Sequence, residues 1–328
     1  MNLSRILLVV FRILAALPYS WLRHLGNAAG VLLYYGVRRR THIARVNLSL
    51  CFPQMPEAER NAIILAHCKY FARSFLDRFM LWYRPVDFIR TLVTLENEHL
   101  FDELAGKPLI LLAPHFLGMD AGGTRLTIDH TMFTMFANQK NKVFNEEMRK
   151  GRARFSGAMV LSRQDGLRGA IRKIRQGVPF YFLPDMDLGA RDSVFVPFFG
   201  VSAATVTSVA RLAQMTGARV LPCVTLMTDS GYRTRFYPAW DDFPGEDVVA
   251  ATRRMNAFIE ERVLEAPAQY LWTHKRFKTR PPGEPDLYRF HGQPIKDGPL
   301  DEVDPDDAVQ PPMRFGLERQ IPEGERIT

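Results

Sequence analysis

Apolar positions dominate the first forty residues in two stretches. Leu3 to Leu17 reads LSRILLVVFRILAAL, interrupted by Arg5 and Arg12. Pro18 follows, then the aromatic pair Tyr19 and Trp21, then a second apolar stretch from Ala28 to Val37. Neither stretch reaches the roughly 18 uninterrupted apolar residues of a clear membrane span. Three readings of residues 1–40 stand: an anchoring helix with snorkelling arginines, helices lying in the interface, or ordinary buried helices of a core. A basic residue before a short apolar core also fits a signal peptide, but no small-x-small cleavage site precedes a polar mature start. The cluster Arg38, Arg39 and Arg40 favours retention, with that end in the cytosol.

Residues 41–90 repeat apolar positions at helical spacing, with a break at Pro53. The stripe Phe71, Phe75, Phe79, Met80 and Trp82 is core or membrane-facing surface rather than a cofactor box. From Leu92 the pattern becomes an α/β alternation. PLILLAPH, TMFTMFAN, VPFYFLPD, RVLPCVTLM and YRTRFYPAW are short apolar runs of the kind buried strands show. Between them GLRGAIRKIRQG, TSVARLAQMTGA and DVVAATRRMNAFIEERVLEAP read as helices. Such alternation implies a sheet covered by helices on its faces. After Pro281 the chain turns rich in Pro, Asp, Glu and Gly and cannot bury enough surface to offset ordering. The expected organisation is therefore a membrane-associated helical region over 1–40, an α/β body over 41–281 and a flexible tail over 282–328.

Composition adds two constraints. A net charge of +8 biases the chain toward anionic partners, whether nucleic acid, anionic lipid, phosphorylated substrate or an acidic carrier protein. The basic residues are spread out and no nucleic-acid motif appears, so nucleic acid is not expected. Cys51, Cys68 and Cys223 are scattered, which argues against a disulfide framework or a cysteine zinc site and fits a domain facing the cytosol.

The sharpest chemical feature is APHFLGMD, residues 113–120. His115 stands where a buried strand ends, the edge at which α/β sheets gather their ligands. Asp120 lies five residues on. On one continuous helix the two would not share a face. With His115 in a turn and Asp120 in the first helical turn, the carboxylate reaches the imidazole, and Gly118 permits the tight connection. A carboxylate on one ring nitrogen makes the other a better base. Alone, however, H-x4-D also fits an ordinary surface histidine.

Other blocks narrow the choice. HFLGMD matches the H-x4-D/E box of the late acyltransferases of lipid A biosynthesis, within the wider lysophospholipid and glycerolipid acyltransferase superfamily. LSRQDGLRGAIRKIRQG, PDMDLGARDSVFVPFFG and QYLWTHKRFKTRP resemble further family blocks, in order, and RRRTHIARVNLSLCFPQM resembles the basic N-terminal segment. The resemblance runs over residues 5–281. One departure is Met186, where relatives often carry His or Gln.

The resemblance implies a central mixed sheet flanked by helices, as in glycerolipid acyltransferases, on the cytosolic face of a bacterial inner membrane. It implies transfer of an acyl chain from acyl carrier protein to a hydroxyl of a lipid A precursor, without metal or redox cofactor. His115 would be the general base and Asp120 its orienting partner. Arg163 would hold an oxyanion or phosphate. Asp185 and Asp187 would be a second acid–base pair, a support for His115, or turn caps. In THKRFKTR, Lys275 and Arg276 would meet phosphates or the acidic carrier, with His274 structural. Two alternatives remain: an acyltransferase for a glycerolipid or aminoacyl lipid, and a non-catalytic basic membrane-surface protein.

Overall fold

The computed structural model describes residues 3–136, 141–155, 157–162 and 166–295. Five helices open the chain: α1 (Leu3–Ala15), α2 (Tyr19–Gly36), α3 (Arg38–Cys51), α4 (Glu57–Tyr83) and α5 (Val86–Leu92). Pro18, Pro56 and Pro85 stand immediately before α2, α4 and α5, each with φ between −54° and −58°. A ring-fixed φ and a missing N–H suit the position just ahead of a helix, where the N–H lacks an intrahelical partner.

The α/β part then runs β1 (Val93–Glu96), α6 (His99–Asp102), β2 (Leu109–Leu112), α7 (Met119–Asp129), β3 (Met132–Phe136), α8 (Lys142–Arg152) and β4 (Ala158–Ser162). It continues through α9 (Gly166–Arg175), β5 (Phe180–Phe182), β6 (Ser193–Phe198), β7 (Val201–Val206), α10 (Ser208–Thr216), β8 (Arg219–Met227), β9 (Tyr232–Phe236) and α11 (Val248–Glu265). A short hairpin, β10 (Arg289–Phe290) and β11 (Gln293–Pro294), follows.

The seven-stranded sheet has the order β1-β9-β8-β2-β5-β3-β4. From β8 to β4 every neighbour is parallel; β9 pairs antiparallel with β8, and β1 runs parallel to β9. The sheet is therefore mixed, as the resemblance implies. Its centre shows why the apolar runs are continuous. In β2, Ile110 and Leu112 face the core lined by α3, α9, α10 and α11, while Leu109 and Leu111 face the core under α6 and α7. A strand covered on both faces has no polar side to show.

Two elements outside the alternation matter for the site. β6 and β7 form a separate hairpin through Phe199 and Gly200, both at positive φ, the geometry a two-residue hairpin turn needs. The segment expected as tail is packed at its start: Tyr288 is buried, donates to Asn47 Oδ1 at 2.5 Å and accepts from the Phe277 N–H at 2.9 Å. Ile295 is buried with it, and Leu287 and Phe290 pack against the same core, so the described residues after Pro281 lie on the body. Residues 296–328 lie outside the described ones.

Residues 1–40 are built onto the body. Gly26 and Gly30 let α2 approach α4; a Cβ at Gly30 would lie 2.3 Å from the Lys69 Cα. Arg84 donates to the Ala15, Ala16 and Leu17 carbonyls at 2.7–2.8 Å and so closes the end of α1. Among the described residues, no helix is long and apolar enough to cross a membrane. Exposed large apolar side chains gather here nonetheless, including Ile13, Trp21, Leu32 and Tyr35, each more than 60% exposed.

Candidate active site

β2 and β5 are adjacent and parallel, in a register that pairs Leu112 with Phe182. The Ala113 N–H continues the pairing onto the Phe182 carbonyl at 2.9 Å. Three residues past each strand end, this register brings together His115 and Asp185. His115 Nδ1 lies 2.7 Å from Asp185 Oδ1, and the His115 backbone N–H donates to Oδ2 at 3.0 Å. A second bracing strip holds the turn: the Leu271 N–H donates to the His115 carbonyl and the Leu117 N–H to the Gln269 carbonyl.

The pair is asymmetric in exposure. The Asp185 side chain is 1% exposed and that of His115 13%, so the carboxylate is sealed beneath a ring that keeps an outward edge. Burial pushes the Asp185 carboxyl up, but its neighbour His115, by charge and by hydrogen bonds, outweighs this and holds it below the ordinary value. The same carboxylate adds to burial in driving the Tyr270 hydroxyl far above its usual range.

Asp120 sits in the first turn of α7, as the sequence suggests, but its partners are two arginines. Arg78 of α4 places Nε and Nη2 at 3.0 and 2.6 Å from Oδ2; Arg152 of α8 places Nε and Nη2 at 3.2 and 2.8 Å from Oδ1. Burial would raise this carboxyl, yet the Arg152 and Arg78 charges hold it well below the carboxylate range. The expected contact between Asp120 and His115 is thus corrected: Asp185 is the ring's carboxylate. The physical cause is the connection itself, in which Phe116–Gly118 pair with or pack on neighbouring backbone and α7 starts only at Met119. Gly118 is required there for space rather than for an unusual φ, since its φ is −83° and a Cβ would lie 2.5 Å from the Thr225 carbonyl oxygen.

The remaining expected residues divide. Asp187 is buried and braces the loop after β5: it accepts from the Thr279 N–H and hydroxyl, each at 2.7 Å, and from the Gly189 N–H at 3.0 Å. The Asp187 N–H in turn donates to His274 Nε2 at 3.0 Å. Lys275 and Arg276 do not form a solvent-facing phosphate cluster. Lys275 is buried and donates to the Ile295 carbonyl, and Arg276 is buried on the Ala204 carbonyl, Thr205 Oγ1 and Asn256 Oδ1. Their charges are committed to holding β7, α11 and the C-terminal hairpin together. Arg163 lies outside the described residues.

Comparison with known proteins matches residues 3–279 to the model of the bacterial lipid A biosynthesis acyltransferase family. The chain belongs to this family. It is 34% identical over 284 residues to the lipid A biosynthesis lauroyltransferase of Escherichia coli K12, covering 85% of this chain and 92% of that one. It is 32% identical over 278 residues to the palmitoleoyltransferase of the same organism, covering 83% and 90%, and 34% identical over 273 residues to its myristoyltransferase, covering 82% and 83%. A 1-acyl-sn-glycerophosphate acyltransferase from Thermotoga maritima aligns over 73% of this chain and 96% of its own at a TM-score of 0.36 and 16% identity, too slight a likeness to bear on function.

As a member of this family the chain is an O-acyltransferase, which overturns the reading as a non-catalytic basic protein. Two site residues were not singled out from the sequence, Arg78 and Arg152. The signal for Arg78 was present: ARSFLDRFMLWY places charged side chains inside an aromatic helical run, where each needs a partner. Arg152, at the end of a strongly charged helix, gives no such sign.

Proposed function

We propose that this acyltransferase moves a fatty acyl chain from acyl carrier protein to a hydroxyl of a lipid A precursor, with His115 as general base and Asp185 as its orienting carboxylate. The observation that carries the reading is the His115–Asp185 pair at the carboxyl edge of adjoining parallel strands. A buried carboxylate accepting from Nδ1–H leaves Nε2 as the basic nitrogen. Nε2 takes the proton of the acceptor hydroxyl while its oxygen attacks the thioester carbonyl carbon. As the intermediate collapses the C–S bond breaks, and the imidazolium returns the proton to the departing thiolate. Such assistance is typically worth ~10²–10⁴ in rate.

No acyl-enzyme enters this scheme. Burial pushes the thiols of all three cysteines up, Cys68 to about 11 and Cys223 to about 12, so they stay protonated and inert. The reaction so written uses no metal or redox cofactor. Asp120 positions Arg78 and Arg152, and this triad carries one more positive than negative charge at the amino end of α7. That potential suits the negative charge that builds on the carbonyl oxygen. The exposed apolar side chains of α1 and α2, with Arg38 and Arg39 beside them, support seating on the cytosolic face of the inner membrane.

Mass spectrometry of lipid products tests the proposal. Purified enzyme in detergent receives a panel of acyl carrier thioesters with a Kdo-bearing lipid A precursor, a lysoglycerolipid or an aminoacyl lipid. A gain of one acyl chain on the lipid A precursor, absent in His115→Ala, is expected. Gain only on another acceptor would transfer the chemistry to that lipid class.

A further inference from the structure

Several arginines of this chain are matched to carboxylates. Arg149 pairs with Glu146 at 2.9 Å, Arg235 with Glu96 at 2.6 Å, and Arg253 with Glu260 at 2.8 Å. Helix α9 differs. Its ten residues, GLRGAIRKIR, hold four basic side chains and no acid. Ala170 and Ile174 turn inward to the core, which leaves Arg168 and Arg172, four residues apart on one face, in solvent. Among the described residues neither has a carboxylate within reach. Exposed Arg175 donates to the Met215 carbonyl, and the Met215 side chain is itself 38% exposed. These side chains form an uncompensated basic stripe beside an apolar side chain.

Topology ties this stripe to the site. α9 begins just past β4 and returns the chain to β5. β4, β3, β5 and β2 are all parallel, so α9 starts at the sheet edge that carries His115 and Asp185. It crosses the sheet face between β4 and β5, and β5 adjoins β2, within about 15 Å laterally at ~4.8 Å per strand. The apolar surface of α1 and α2 lies elsewhere and is suited to lipid. No comparable run of exposed apolar residues accompanies α9 among the described residues, which favours a protein partner over a bilayer.

We propose that the Arg168–Arg172 face of α9 is the docking surface for the acidic acyl carrier protein. The inference rests on the reading of the donor given above and adds where that donor sits. Complementary charge steers encounter and fixes orientation, so that the thioester is presented at the edge holding His115. The burial of Lys275 and Arg276 removes the other basic cluster that had been expected to meet the carrier.

The test is steady-state titration of acyl carrier thioester with the full-length enzyme in detergent, at low and high salt. It compares wild type, R168E/R172E, R168Q/R172Q and, as a control, K107E at the opposite sheet edge. Circular dichroism confirms folding. The expected result is a rise of about tenfold or more in the carrier KM of R168E/R172E, with kcat retained, a smaller rise in R168Q/R172Q, and convergence toward wild type at high salt. K107E stays like wild type. An unchanged carrier KM in R168E/R172E overturns the proposal. So does a loss that instead follows binding to anionic phosphatidylglycerol vesicles, which would make α9 a membrane contact. Wild-type turnover with other acyl thioesters but none with carrier thioesters would overturn the donor reading itself, and this inference with it.

Discussion

His115 and Asp185 are 70 residues apart in the chain and 2.7 Å apart in space. The sequence shows the histidine, because a buried strand that stops at a titratable residue is visible in an apolar pattern. It shows Asp185 only through the PDMD block, among several roles, because strand register between β2 and β5 is a tertiary fact. H-x4-D draws attention to Asp120 instead, and the fold sends that carboxylate to Arg78 and Arg152. The two acids should therefore fail differently. Asp120→Asn leaves two guanidinium groups with a weaker acceptor, and a stability loss of about 2 kcal/mol is expected by thermal or urea melting. The sign with pH follows from the direction of the shift. A carboxyl held below its unfolded value stabilises the fold above the ordinary carboxylate range, and that contribution is lost as pH falls from that range through the lower folded value. Melting temperatures of wild type and Asp120→Asn should therefore differ at neutral pH and converge in acid.

At the scale of elements, the long apolar or periodic segments were legible: β2, β5, β8, β9, α10 and α11 all fall where their patterns place them. β1, VTLE, lacks the continuous apolar run of β2, and α8 is too charged to show a buried face. The β6–β7 hairpin was missed because its turn uses Phe199 at positive φ instead of an Asn-Gly or Asp-Gly pair. Composition likewise does not reveal that Tyr288 and Ile295, past Pro281, pack on the core, with Tyr288 bonded to Asn47. The α2–α4 contact offers a direct check on element packing. Gly30→Ala places a methyl group against the Lys69 backbone, and a loss of about 1–3 kcal/mol in stability is expected from overpacking, measured by chemical denaturation. A neutral outcome would mean that α2 is not seated this closely.

At the scale of the whole molecule, the chain divides its surface by chemistry. Apolar side chains crowd α1 and α2, unpaired arginines mark α9, and the histidine lies at the sheet edge where α9 begins. Replacing Ile13, Trp21 and Leu32 with Ser should release the protein from liposomes in a flotation assay while leaving the His115–Asp185 pair and the fold intact. Retained flotation would place the lipid contact elsewhere.

The central claim is that acyl transfer runs through His115 held by Asp185. The most direct test is the single-turnover rate of acyl transfer for wild type, Asp185→Asn and His115→Ala, each shown to be folded. The account expects His115→Ala to lose ~10²–10⁴ in rate, and Asp185→Asn to fall at least tenfold with little change in acceptor KM, because an amide neither favours the required tautomer as strongly nor stabilises the imidazolium. Asp185→Asn turning over at the wild-type rate would contradict it.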